Sequence, residues 1–256
     1  MTEAAGLSAL LYVLTGMSAG LLGSILGLGG GVVMVPVMTI LLGVPAHVAV
    51  AASLVGVVAT SVSSSAGYMK RQLPLVRVGL HLEMTTLVGA VAGSIAAGFM
   101  ADNVISALFS LLLFYTAWTM WRGRKVRDAA DDPDSVVATP LALTGSGVAG
   151  CISGVLGVGG GVMKVPVMNL LLGAPIHRST STSTFMMGLT AAAGCVAYYQ
   201  RGELLLGIAA PLALGVLIGG RLGPMIAVRI DALGIKRTFA IVLVIVALRM
   251  SLELFL

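Results

Sequence analysis

Leu26–His47 reads LGLGGGVVMVPVMTILLGVPAH, and Leu156–His177 reads LGVGGGVMKVPVMNLLLGAPIH. The second stretch repeats the first 130 positions later, with roughly two thirds of the residues identical. The register continues without a gap, so Tyr68 aligns with Tyr198, Arg71 with Arg201 and Gly89 with Gly219. The chain is therefore a duplicated half of about 120 residues. Each half carries a glycine cluster, a short apolar segment with a central proline, and a Gly-x-Pro ending.

Composition decides what solvent surrounds these halves. The 256 residues are 58% hydrophobic and only 10% charged, with a mean hydropathy of +1.05. A soluble domain carries about a quarter charged residues, and apolar runs of about 18 residues or more mark transmembrane segments. The runs are long and do not alternate, so helices rather than a barrel satisfy the backbone in lipid. The fold class is an all-α polytopic membrane protein with two homologous halves and interrupted helices. Residues 1–122 form the first repeat, 123–138 a polar cytoplasmic linker, and 139–256 the second repeat. A net charge of +5 would suit a nucleic-acid partner in a soluble chain. Here it reads as Lys and Arg in cytoplasmic loops, and no nucleic acid is expected. Cys151 and Cys195 align with Leu21 and Ser65 and read as small fillers, not a disulfide. The N-terminus lacks a basic region and a cleavage site, so Ala5–Leu26 reads as a retained first helix.

In chain order, the predicted spans are Ala5–Leu26, Pro45–Tyr68, Val78–Met100 and Val104–Trp121, with a tight turn at Asp102-Asn103. The second half gives Leu141–Leu156, Pro175–Tyr199, Leu204–Val228 and Thr238–Leu256. Between the glycine breaks and the Gly-x-Pro signals lie the short segments Val32–Gly43 and Val162–Gly173. A 12-residue helix is only about 18 Å long, short for a hydrocarbon core of about 30 Å. If these segments re-enter, there are eight spans and parallel halves; if they cross, there are ten and the halves are inverted. Lys164, Arg221 and Arg249 fall inside spans. The ten-span path leaves every other Lys and Arg except Arg201 in the cytoplasm, whereas the eight-span path moves Arg178, Arg229, Lys236 and Arg237 outside. The positive-inside rule favours ten spans and inverted repeats.

Gly29, Gly30 and Gly31, and their counterparts Gly159, Gly160 and Gly161, are the candidate anion sites. A helix start exposes unpaired N–H groups and partial positive charge, and glycine lets a ligand approach them. Paired broken segments at matching places in two halves point to a transporter binding site; close helix packing is the bland explanation for the same glycines. Lys164 stands where the first half has Met34, and Arg221 where it has Val91. Ionisable residues inside a span are costly and suggest function, and this sign suits an anion; snorkelling to the interface is the other reading. Ser181 and Ser183, in the run Ser179–Thr184, could supply hydroxyl donors or join helices. Glu83 could carry a coupling proton, pair with an arginine, or sit at the interface. His47, His177 and Arg201 are the remaining coupling or gating candidates. Tyr198 and Tyr199 read as interfacial anchors. No catalytic constellation, cofactor motif or metal spacing stands out, so the chain does not read as an enzyme.

The doubled Gly-x-Gly-Gly-Gly…Val-Pro-Val-Met unit, the helix–glycine–short-helix layout and the polar central stretch resemble the sulfite exporter TauE/SafE family of small bacterial permeases. Members are described with about eight spans, fewer than the ten favoured by the charges. The resemblance implies a multi-pass protein of the bacterial cytoplasmic membrane. It also implies transport of a sulfur-containing anion such as sulfite or the sulfonate sulfoacetate. The expected function is secondary transport by alternating access, coupled to H+ or Na+, with the bilayer and a small anion as partners and a homo-oligomer compatible with the sequence. A passive anion channel, or a transporter of a non-sulfur carboxylate, are the rival readings.

Overall fold

The computed structural model describes residues 2–70, 74–122, 139–226 and 232–253. The linker expected at 123–138 lies outside the described residues. All regular structure among the described residues is helical: α1 (Thr2–Leu26), α2 (Gly31–Pro36), α3 (Ala46–Met69), α4 (Val76–Ala97), α5 (Asp102–Arg122), α6 (Pro140–Leu156), α7 (Gly161–Pro166), α8 (Ile176–Gln200), α9 (Leu206–Ile226) and α10 (Ala232–Glu253). Five of them, α1, α3, α4, α5 and α9, are long and apolar enough to cross a membrane. Leu7, Leu10 and Leu14 on α1, Leu111 and Trp118 on α5, and Leu214 and Ile218 on α9 are exposed. Outward apolar faces suit helices surrounded by lipid.

Local sequence sets the boundaries. Pro45 and Pro175 stand extended, with ψ of 144°, and each releases the chain into the long helix that follows. Pro140 opens α6, and the Thr139 hydroxyl accepts the Ala142 N–H as its cap. After Pro36 and Pro166 the short helices widen into π-helical turns, Val37–Leu41 and Val167–Leu171. A proline supplies no N–H to the ladder, and such irregular turns gather at functional sites. Two boundaries differ from the sequence reading: α10 begins at Ala232, six residues before the expected Thr238, and the α4–α5 junction is shifted. Helix α4 stops at Ala97 rather than Met100, a turn follows, and Asp102 opens α5 instead of forming the turn. The reason is long-range: the Asp102 carboxylate accepts the backbone N–H of His47 and so also caps α3.

The halves are interleaved. Helix α1 of the first half packs along α9 of the second, and α4 packs along α6 in the same way. Both seams are made of glycine. A β-carbon at Gly16 would overlap the Leu212 carbonyl, one at Gly215 the Val13 carbonyl, and one at Gly219 the Met17 carbonyl. Gly89, Gly93, Gly150 and Gly154 do the same for α4 and α6. Small residues every fourth position allow this backbone approach, which takes the place of hydrophobic burial in lipid. The order of contacts also fixes direction. Residue numbers rise together along α1 and α9, and from Gly56 with Val216 to Gly67 with Pro224 along α3 and α9. Helices α1, α3 and α9 therefore run the same way, and the short α2 segment returns the chain between α1 and α3. Helices α3 and α8 run oppositely: Ser61 meets Gly188, whereas Leu54 meets Gly194.

Candidate functional site

The two glycine breaks meet at the centre of the molecule. Residues 27–32 and 157–162 are all buried. Gly29 and Gly30 have φ of 80°, and Gly159 and Gly160 have φ of 76° and 75°. Glycine adopts this left-handed backbone without the penalty a side chain pays. The breaks also touch each other: a β-carbon at Gly31 would overlap the Gly157 carbonyl, and one at Gly161 would stand 2.5 Å from the Gly27 carbonyl. Met187 and Ala19 press similarly on Gly29 and Gly30, and Val57 on Gly159. In this conformation five of the six triplet glycines face packed protein.

Matching side chains hold the breaks. Tyr68 donates to the Ser24 carbonyl at 2.8 Å, and its repeat partner Tyr198 donates to the carbonyls of Gly154 and Val155 at 3.0 and 3.1 Å. Each tyrosine thus ties the end of its long helix to the helix entering its own half's break. Tyr198 is fully buried, unlike the interfacial anchor read from sequence; Tyr199 is exposed. Ser53 donates to the Gly157 carbonyl at 2.8 Å, and its counterpart Ser183 to the Gly27 carbonyl at 3.5 Å, each reaching the other half's break.

Against that symmetry, three positions differ. The Lys164 side chain is completely buried, and its Nζ donates to Glu83 Oε2 at 2.9 Å and to Thr190 Oγ1 at 2.6 Å. Thr190 in turn donates to Glu83 Oε1 at 2.5 Å. Helices α7, α4 and α8 supply one member each, and α4 belongs to the other half. The aligned residues in the opposite repeat are Met34, Ala213 and Thr60, so the threonine is common to both. Thr60 keeps its hydroxyl on the Gly29 carbonyl of its own break, at 3.1 Å. The third difference is Ser153, which aligns with Gly23. Gly23 lies directly against Gly30, closing the first break. At the second break the Ser153 Cβ stands 3.5 Å from the β-position of Gly160, and Lys164 Cε stands 3.2 Å from it. Gly160 is the one triplet glycine whose β-position meets nothing closer than 3.2 Å. The Ser153 hydroxyl is buried and has no hydrogen-bond partner, as is that of Ser146 two turns earlier on α6. An unpaired buried hydroxyl costs about 1–3 kcal/mol.

The other expected residues lie elsewhere or are already engaged. Arg221 is exposed on α9 and is not brought to either break. Ser181 is buried, with its hydroxyl on the Arg178 carbonyl of its own helix. His47 places Nδ1 at 2.6 Å from Asp102 and Nε2 at 3.1 Å from the Ala97 carbonyl. The side chain of His177 lies outside the described residues. Arg201 forms a two-point pair with Glu203, donates to the Ser94 carbonyl at 2.8 Å and lies over the Tyr198 ring. Arg201 and His47 therefore both cap the end of α4. Sequence reasoning missed Ser153 and Thr190. The signal for Ser153 was a serine aligned with a close-packing glycine, the same kind of difference that exposed Lys164.

The family model described as Sulfite exporter TauE/SafE matches residues 12–250. The chain belongs to that family. Similar proteins include the probable membrane transporter protein YunE of Bacillus subtilis, 26% identical over 96% of this chain and 98% of its own length. The probable membrane transporter protein MJ0441 of Methanocaldococcus jannaschii is 26% identical over 83% of this chain and 84% of its own. A probable membrane transporter protein of Haemophilus influenzae is 27% identical over 95% and 98%. No solved structure matches the chain. As a TauE/SafE protein it is a multi-pass helical membrane transporter and not an enzyme.

Proposed function

We propose that this TauE/SafE chain moves a small sulfur-containing anion, sulfite or an organosulfonate such as sulfoacetate, by alternating access between two inverted halves. The observation that carries the reading is Lys164, a fully buried cation placed where two broken helices meet. A charge at that depth is expensive and belongs on a substrate pathway. Membership of a family described as sulfite exporters supports the substrate class. The direction of the helices supports inversion: α3 and α8 are repeat equivalents, yet they run oppositely where they touch. Opposed equivalents with the short segments crossing give ten spans, the path that also keeps nearly all loop cations on one side. The packed breaks support a closed resting state, which alternating access needs and an open pore lacks. The glycine triplets then offer main-chain N–H groups when the halves part. Purified protein in liposomes should accumulate labelled sulfite or sulfoacetate against its gradient when a proton or sodium gradient is applied. Flux that only ever runs downhill would make it a channel, and accumulation of acetate in place of the sulfur anions would overturn the substrate class.

A further inference from the structure

Two of the three departures from the repeat pattern, Lys164 and Glu83, close a ring with Thr190, and the third lies beside it. Lys164, Glu83 and Thr190 bond to one another: the ammonium donates two of its three N–H groups, the hydroxyl donates once and accepts once, and both carboxylate oxygens accept. The ring carries no net charge. An anion entering next to Lys164 would leave the buried site with a surplus negative charge, and such surplus is disfavoured where water is excluded. The surplus disappears if a proton joins Glu83 as the anion takes its place on the ammonium. Other charged groups stand clear of this exchange. Arg77 and His81 on α4 itself are exposed, α8 brings only the Thr190 hydroxyl, and Cys151 of α6 packs farther along α4 at Gly89 and Gly93. Ser153 supplies the complementary half. Its buried hydroxyl is unpaired, and its Cβ stands 3.5 Å from the β-position of Gly160, which Lys164 Cε approaches to 3.2 Å.

We propose that Lys164 and Ser153 form the anion-binding pole at the second break, and that Glu83 is the acid whose protonation hands Lys164 to the anion, so that each anion travels with one proton. The proposal rests on the transport reading above and makes the site one-sided: the first break, with Met34 and Gly23 at the same places, provides scaffold and no charge. The proton arrives on Glu83 Oε2 from the side where the anion enters. On release to the other side the proton leaves Glu83, and the carboxylate returns to Lys164. One proton and one anion have then moved together.

The test uses ethanesulfonate, whose own charge is constant across the working pH range, and intact purified protein. Wild-type affinity should tighten about tenfold for each pH unit of acidification while Glu83 is ionised, the slope for one linked proton. Calorimetry in buffers of different ionisation heat should report one proton taken up per anion, which needs no variant. Glu83→Gln should bind with no pH slope. Ser153→Ala should weaken binding about tenfold or more and keep the wild-type slope. Wild-type protein that binds neither ethanesulfonate, sulfite nor sulfoacetate at any pH would overturn the transport reading itself. Binding without proton uptake, or a Glu83→Gln variant that keeps the slope, would overturn the proton step alone. Unchanged affinity in Ser153→Ala would remove that serine from the site.

Discussion

Replacing Lys164 by methionine and Glu83 by alanine installs the residues that the opposite repeat carries at the same places, Met34 and Ala213. At 2.9 Å the pair attracts by about 6 kcal/mol if the effective dielectric is near 20. Removing each ion from water costs several kcal/mol, so the pair as a whole adds little to stability. Each single replacement is different, because it strands one buried charge. Lys164→Met alone, or Glu83→Ala alone, should cost about 3–5 kcal/mol. The double variant should fall within about 1 kcal/mol of the wild type, since burial of an ion pair is close to break-even against apolar residues. Unfolding of the purified protein by SDS in mixed micelles, followed by circular dichroism, measures all three. The decisive result is the order: the double variant should be more stable than either single one. Losses that simply add would show two independent side chains reached by water, and the argument from burial would fail. Transport should be lost in all three variants, which separates the folding role of neutrality from the working role of the charge.

Two further outcomes follow from geometry. In α9, Gly219→Ala would push a methyl into the Met17 carbonyl and should destabilise by about 1–3 kcal/mol, whereas Gly207→Ala meets nothing within 4 Å and should be neutral or stabilising by up to about 1 kcal/mol; thermal melts of the two proteins check the contrast. In a variant lacking Cys151 and Cys195, Asn103→Cys should react with a membrane-impermeant maleimide only from outside the cell and Lys70→Cys only from the cytoplasm. Labelling of both from one side would remove the ten-span inverted path.

Much of this architecture could be read from the chain. The duplication is written into residues 26–47 and 156–177, and the prolines and glycines that bound the helices act locally, so most helix ends fell where the sequence put them. Lys164 stood out for the same reason, as a cation where its repeat partner is apolar. What stayed hidden was the facing of side chains. Arg221 and Lys164 look alike in sequence, each a lone cation in an apolar run, but one is exposed and the other sealed. A helix that is apolar all round gives no stripe from which to phase its buried side. Glu83 found its partner on α7 of the other half, a contact that depends on how α4, α7 and α8 converge. Tyr198 was likewise misjudged by its place at a helix end, because its hydroxyl reaches a helix 43 and 44 residues earlier in the chain.

The interleaved glycine seams bear on how the protein is made. Helix α1 meets its matching groove only in α9, one of the last helices to leave the ribosome, so the first five helices cannot close around themselves. Until then a notched surface without a fitting neighbour waits in the bilayer. The repeats are thus two copies in descent but a single unit in assembly. Two fragments made separately, each useless alone, would have to find one another in lipid as subunits do.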